Sequence, residues 1–473
     1  MRRILYAALA GAATVFAACN ADRLTVPQFN NPTPESVAED PSAIDFAARG
    51  ILIQNRGTYA DFISDVGIFG RESFDYFPTD ARSHTHYVAQ NPLDPAGFAS
   101  GGWTLRYRNL RNIHTFLQVV DGSATLDDEE KEAARGFAKT FGALELYYLI
   151  TTRHNFGIVV QINDDPNEVA AFVSRDSAWN YIAARLDEAA AHLEAGGESF
   201  PFALTEGFTE FGAFDSPAGF LEFNRALKAR VDVTRGSLRN PACGANGVTC
   251  YQSALAALSE SFISLSAGDL NNGVYHVYSS EPGDALNDLN ELVYKDFLAH
   301  PSITTDAQPG DQRVARKIRT LESPRGPSGE DVGIETPVGF KIYPSPTSPA
   351  PIIRNEELIL LRAEARWFTG DKSGAIQDLN FVRQASGGLG PSSATTSSSD
   401  EQFITALLYE RRMSLLWEGH RWADVRRFNR LNTLPLDLTD HFRQLQQPIP
   451  QGECDFRRGM SGDLACPTGP TGP

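Results

Sequence analysis

Between residues 41 and 267, apolar positions recur every three to four residues, the spacing of a helix that buries one face. On this basis the segments at about 41–56, 59–69, 103–120, 128–151, 175–195, 217–236 and 249–267 are read as helices. The one opening at Ser174 shows the pattern clearly, with Trp179, Ile182, Leu186, Ala189 and Leu193 at helical spacing. The last third returns to this pattern. Asn355 is placed to cap a helix with Glu356 and Glu357 in its first turn. Leu358, Leu361, Ala365 and Phe368 mark its apolar face. Gly370-Asp371 closes that helix and opens another, with Ala375, Ile376, Leu379 and Val382 turned inward. A helix, a tight turn and an antiparallel helix form the unit of a tetratricopeptide-like hairpin. The expected fold class is therefore all-α: a right-handed tetratricopeptide-like helical-repeat scaffold.

Several stretches break the helical pattern. Residues 268–350 are rich in Gly, Pro, Ser and Asp and are read as a loop-rich irregular subdomain inserted into the scaffold. It should hold a helix near 284–299 and a strand at Val338–Tyr343. Residues 386–399 are a Gly/Ser/Thr loop. The tail from Pro467 is of low complexity and is expected to be mobile. Residues 70–102 differ from these loops. They carry Phe74, Asp75, Tyr76, Phe77, Asp80, Arg82, His84, His86 and Tyr87, too many aromatics for a disordered segment. Long loops of this kind are commonly functional.

Sugars present C–H faces that lie against aromatic rings, and hydroxyls that need Asp, Asn, Arg or His partners. Tyr76, Arg82, His84, His86, Tyr87 and Asn91 supply that mixture, so recognition of a polyhydroxyl or peptide ligand is expected on this loop. Tyr275, His276 and Tyr278 in the second irregular region would form another wall. The competing reading places Phe74, Tyr76 and Phe77 in core beneath a long loop.

The chain has 473 residues, 42% of them hydrophobic, enough for a sizeable core. Its net charge of −17 disfavours a nucleic-acid backbone as partner. Met1-Arg2-Arg3, the apolar run Ile4 to Phe16 and the small residues before Cys19 have the plan of a signal peptide over 1–18. The run is too short to span a bilayer. Its final Cys looks like a bacterial lipobox, which implies cleavage before Cys19 and acylation of that residue. Residues 19–33 would then be a lipid-anchored tether. Thr33-Pro34-Glu35 looks like a helix start, opening a body over 34–473. Cys243, Cys250, Cys454 and Cys466 remain, an even number in an exported chain. The simplest pairing is local, Cys243 with Cys250 and Cys454 with Cys466. A metal site is the alternative, but no His lies close to either pair and neither spacing is that of a zinc knuckle.

Residues 405–427 concentrate acid, base and imidazole. Glu410, Arg411 and Arg412 are followed by Glu418-Gly419-His420-Arg421-Trp422 and Asp424-Val425-Arg426-Arg427. His420 could be read as a general base beside Glu418 or Asp424. The alternating acids and arginines favour an ion-paired helix junction instead, because planar guanidinium groups satisfy several carboxylates at once. The adjacent acids Asp164/Asp165 and Glu356/Glu357 do not make a glycosidase, which needs two carboxyl groups facing across a cleft. No phosphate-cradling glycine motif, zinc motif or nucleophile elbow is visible, so no enzymatic activity and no cofactor are expected.

The 405–427 stretch resembles the C-terminal signature of the SusD/RagB family. Further matches are Trp103, Tyr107, Arg111, Asn112 and Ile113, then Arg135 to Lys139, Gly142 to Tyr147 and Phe156-Gly157. Asp311 with Arg313, Ile353 to Glu357, Arg362 to Ala365 and Pro448-Ile449-Pro450 continue the likeness, which covers about 100 to 451. Cys454 to Cys466 departs from the family pattern, and the 70–100 loop matches nothing that can be carried over. The resemblance implies an outer-membrane nutrient-binding lipoprotein, anchored by lipid alone and exposed at the cell surface. Such a protein captures a glycan, peptide or other oligomeric nutrient for a SusC-like TonB-dependent transporter. The alternative is a tetratricopeptide-type protein–protein interaction scaffold in the cell envelope.

Overall fold

The computed structural model describes residues 41–77, 79–165, 167–326 and 335–472. The signal segment, Cys19, the tether and the helix start at Thr33 lie outside the described residues. Helices dominate: α1 Pro41–Gly57, α2 Tyr59–Phe69, α3 Trp103–Gly122, α4 Asp128–Arg153, α5 Arg175–Glu194, α6 Pro217–Ser237 and α7 Val248–Ser259. After the irregular region come α8 Asn355–Thr369, α9 Lys372–Ala385, α10 Asp400–Ser414 and α11 Arg421–Arg427. Consecutive helices pack as hairpins, α3 on α4, α4 on α5, α5 on α6, α6 on α7 and α8 on α9, which makes the scaffold tetratricopeptide-like. Among the described residues, no helix is long and apolar enough to cross a membrane.

Local chemistry sets many helix boundaries. Asp127 and Glu130 close a reciprocal capping box at the start of α4, and Ser399 with Gln402 does the same for α10. Ser174 caps α5, and Asp371 caps α9 by accepting from the Gly374 amide. Gly370 ends α8 at φ +100°, a conformation that favours glycine. Nearly all of α4 from Ala133 onward is buried, so this helix forms the centre of the main core.

Some expectations are corrected. Asn355 does not cap α8. It is the first helical residue, and its side chain bonds Ser264 and Asp269 instead. The helix expected over 249–267 stops at Ser259, and the backbone at Ser264 is held to Asn355. No helix forms at 284–299. Asn287 and Asn290 donate their amides to the carbonyls of Ser348 and Tyr343 and accept from the amides of Leu289 and Leu292. The local bonds from the Leu289 and Leu292 amides compete directly with a helical ladder, and the distant ones hold the segment elsewhere. The tail is docked through Thr471. Its carbonyl accepts from the Leu445 and Gln446 amides, and its hydroxyl accepts from the Leu93 amide at 2.8 Å. Cys243 is bonded to Cys250, and Cys454 to Cys466.

The strands are short: β1 Ser73–Asp75, β2 Ile158–Val159, β3 Phe172–Val173, β4 Gly273–His276, β5 Phe297–Ala299, β6 Ile318–Arg325, β7 Thr336–Phe340 and β8 Ala350–Arg354. β7 covers part of the expected strand at 338–343. β4 pairs with β8, so the irregular region leaves and rejoins the scaffold at one place. A four-stranded antiparallel sheet in the order β1-β5-β7-β6 ties the 70–102 loop to that region.

Candidate functional site

Between α2, the segment after β1 and the approach to β5 lies a cleft of about 670 Å³. Helix α2 presents Asp61 and Asp65 four residues apart, with Ala60, Ser64 and Ile68 beside them. That spacing puts both carboxylates on one face. Facing them are Asp75, Phe77, Asp80 and Ser83, with Tyr87 and Phe98 at one side. Asp288, Tyr294 and Phe297 close the remaining side.

Alternation along β1 and its extension decides which side chains reach the cleft. Phe74 and Tyr76 point into a satellite core with Ile68, Val88 and Leu298. Asp75 and Phe77 point the other way, into the cleft. Phe77 is 39% exposed and Phe98 is 45% exposed, so both rings are available to a ligand. The Arg82 guanidinium lies 4.8 Å from the Phe98 ring centroid.

The carboxylates are held in place. Tyr87 Oη donates to Asp65 Oδ1 at 2.7 Å, and Gln447 Nε2 donates to Oδ2 at 2.8 Å. Burial nevertheless pushes the Asp65 carboxyl up to about 6. Asp75 accepts from Tyr294 Oη at 2.9 and 3.0 Å, and burial raises it to about 6 as well. Asp61 is raised chiefly by burial, with Asp288 adding repulsion. Asp80 is lowered by the fork of Arg82.

A raised carboxyl binds its proton in the folded state before the unfolded state does. The penalty carried by Asp65 is therefore absent below its ordinary value of 3.8, and complete once pH has risen through about 6. Asp65→Asn should gain stability relative to the native chain as pH rises across this window, by roughly 2–3 kcal/mol. Denaturant midpoints of both proteins at pH 4.5 and 7.5 test this; an offset that does not change with pH contradicts it.

The residues proposed from sequence are dispersed. Tyr87 lines the cleft. Arg82 stands at its edge, bound to Asp80 and Phe98. His86 packs against the outer side of Phe98, with ring centroids 5.6 Å apart. His84 is buried, its Nε2 hydrogen-bonded to Nε2 of His441 at 3.0 Å. Four further candidates do not meet there. Tyr76 is 1% exposed and belongs to the satellite core. Asn91 packs against Gly472 of the docked tail. Tyr275 is 7% exposed, stacks near Phe211 and donates to the Asn271 carbonyl. Tyr278 is half-buried under Arg56. Tyr275 and His276 instead border a separate shallow hollow. Sequence reasoning missed Asp61, Asp65, Asp288, Tyr294 and Phe297. Two acids four apart in the otherwise apolar α2 were the available signal.

The 405–427 cluster is interior. Arg427 forks onto Glu364 and bonds Asp424, which also accepts from Arg411 at 2.7 Å. Glu410 lies between Arg313 and Arg383 at 2.6 and 2.7 Å. His420 sits 3.6 Å from Glu357, which is already gripped by Arg230, and burial lowers the imidazole to about 4. Its acids are held by arginines, so the junction fastens helices together. Among the described residues, no group of three or more His, Cys, Asp or Glu is placed to hold a metal ion.

The SusD family model matches residues 345–460. The whole fold is similar to solved structures of that superfamily. B. fragilis NanU superposes at a TM-score of 0.64 with 14% identity, covering 92% of this chain and 99% of that one. A SusD/RagB family protein from Bacteroides thetaiotaomicron gives 0.63 at 17% identity, with 87% and 94% covered. Surface glycan-binding protein A from Bacteroides fluxus gives 0.60 at 16% identity, with 91% and 98% covered. No protein of curated function matches the sequence.

Proposed function

We propose that this chain, with its SusD-superfamily fold, is a cell-surface nutrient-binding lipoprotein that captures a glycan in the cleft between α2 and the 70–102 loop. It then passes the glycan to a TonB-dependent outer-membrane transporter without chemistry. The observation that carries this reading is the pairing of accessible rings, Phe77 and Phe98, with the oriented acceptors Asp65 and Asp75. A few positioned polar groups within an apolar surface are the usual make-up of a ligand site. The name of the Bacteroides fluxus neighbour, a surface glycan-binding protein, points the same way. Attachment through acylated Cys19 and delivery to a SusC-like barrel rest on the sequence resemblance.

The test is a glycan array followed by calorimetry with the oligosaccharide that binds. Phe98→Ala and Phe77→Ala should each weaken binding by about 1–3 kcal/mol, the contribution of one buried ring. Both rings are exposed, so the fold should persist. Absence of binding to any glycan, or affinity indifferent to both changes, overturns the reading.

A further inference from the structure

A second and larger cleft, about 1020 Å³, lies on a different part of the molecule and has the opposite charge. It runs between the end of α6, the start of α7, the end of α8 and the chain leaving α11. Arg175, Arg239, Arg426, Arg427 and Arg430 line it, against the acids Asp400 and Glu401. In a chain of net charge −17, such a concentration of arginine calls for a physical account.

Most of these charges are already paired. Arg427 is held by Glu364 and Asp424, Arg430 by Glu401, and Arg175 by Asp176. Two are not. Arg426 is buried, yet its guanidinium donates only to the carbonyls of Trp422, Leu445 and Thr151 and lies over the Trp422 ring. Among the described residues no carboxylate neutralises it, and burial lowers it to about 9. Arg239 is exposed and has no side-chain partner among the described residues.

His154 adds a neutral hydrogen-bonding group to the cleft wall. The residue is 9% exposed and lines the cleft, and its ring nitrogens, which have no hydrogen-bond partner among the described residues, open onto it. The groups that face it, Arg426 and Arg175, are both cationic, and with burial they hold the imidazole neutral. The backbone is also strained here. His154, Arg239, Asn246 and Asn429 all line the cleft with φ between +43° and +56°. They are four of the six non-glycine residues with positive φ among the described residues, and such strain gathers at binding sites.

We propose that this cleft binds an oxyanion, a phosphate or sulfate group, between Arg239, Arg426 and His154. The anion would neutralise the buried guanidinium, accept from the imidazole N–H that opens onto the cleft and draw in the free Arg239. The group would belong either to a soluble ligand or to the headgroup of an anionic lipid.

Calorimetry with inorganic phosphate and with sulfate, at constant ionic strength set by chloride, tests this. The native protein should show saturable one-site binding. Arg239→Glu and His154→Gln should each weaken it by about tenfold or more, the loss of one charge-assisted contact. Phe98→Ala, in the other cleft, should leave it unchanged. Arg239 is exposed and unpaired, so its replacement leaves folding intact even if that of His154 does not. Co-sedimentation with phosphatidylglycerol vesicles, lost in Arg239→Glu, would identify the source as lipid. Binding of free phosphate without vesicle association would identify a soluble ligand. No saturable heat with either anion, or affinities unchanged in Arg239→Glu, overturns the proposal.

Discussion

Glu410→Ala will lower the stability of the fold by about 3–5 kcal/mol, the cost of breaking a buried ion pair from one side. Glu410 is 1% exposed and serves two guanidinium groups, one on each oxygen. Arg313 comes from the irregular region and Arg383 from α9, so one carboxylate joins α10 to two separate parts of the chain. Removing it takes an acidic partner from both cations. Arg313 keeps Asp311, which accepts at 2.7 and 2.9 Å, but Arg383 keeps only neutral partners in Gly390 and Gln308. Glu410→Gln retains the shape and one acceptor, and should fall between the native chain and the alanine variant. Equilibrium denaturation reads the result. A loss below about 1 kcal/mol would mean that the pair behaves like an exposed one.

Tyr76→Ala will also cost about 3–5 kcal/mol, as truncation of a core aromatic does. Glycan affinity, measured at a temperature where the variant is folded, should stay at the native level. Sequence reasoning had given this ring to the ligand. It packs in the satellite core, its centroid 6.3 Å from that of Phe74, and its hydroxyl has no partner among the described residues. Tyr76→Phe removes that buried orphan and should be neutral or stabilising. A tenfold loss of glycan binding in folded Tyr76→Phe would return the residue to the site.

The helical hairpins were legible because their apolar residues repeat at the helical period, and packing then follows from local pattern. Ser174 and Gly370-Asp371 also declared their boundaries through side-chain and backbone chemistry that acts within a few residues. Asn355 illustrates the limit. Its side chain had a local use as a cap, but a loop ninety-one positions away took it instead. The aromatic loop was singled out for its composition, and its Tyr87 lines the cleft. Its inward and outward residues were not separated, because 74–77 was read as irregular, whereas it follows the period-two alternation of β1. The opposite wall was hidden for another reason. Tyr294 and Phe297 belong to a stretch given a helical reading, and only the side chains of Asn287 and Asn290, bonded far away, forbid it. Even the tail, low in complexity, is fixed by Thr471 bonding to backbone groups that composition does not reveal.

The bond from Gln447 to Asp65 joins residues 382 positions apart, and that of Thr471 to Leu93 spans 378. Contacts this distant along the chain form slowly, because the ordering of everything between them must be met first. The hairpins α3–α4 and α4–α5 involve only neighbours and should assemble early, even on a nascent chain. The cleft, by contrast, cannot acquire its final shape until the region around residue 447 has been synthesised and has returned to α2. The shape of the cleft is thus a property of the finished chain, acquired at the end of folding rather than at its start.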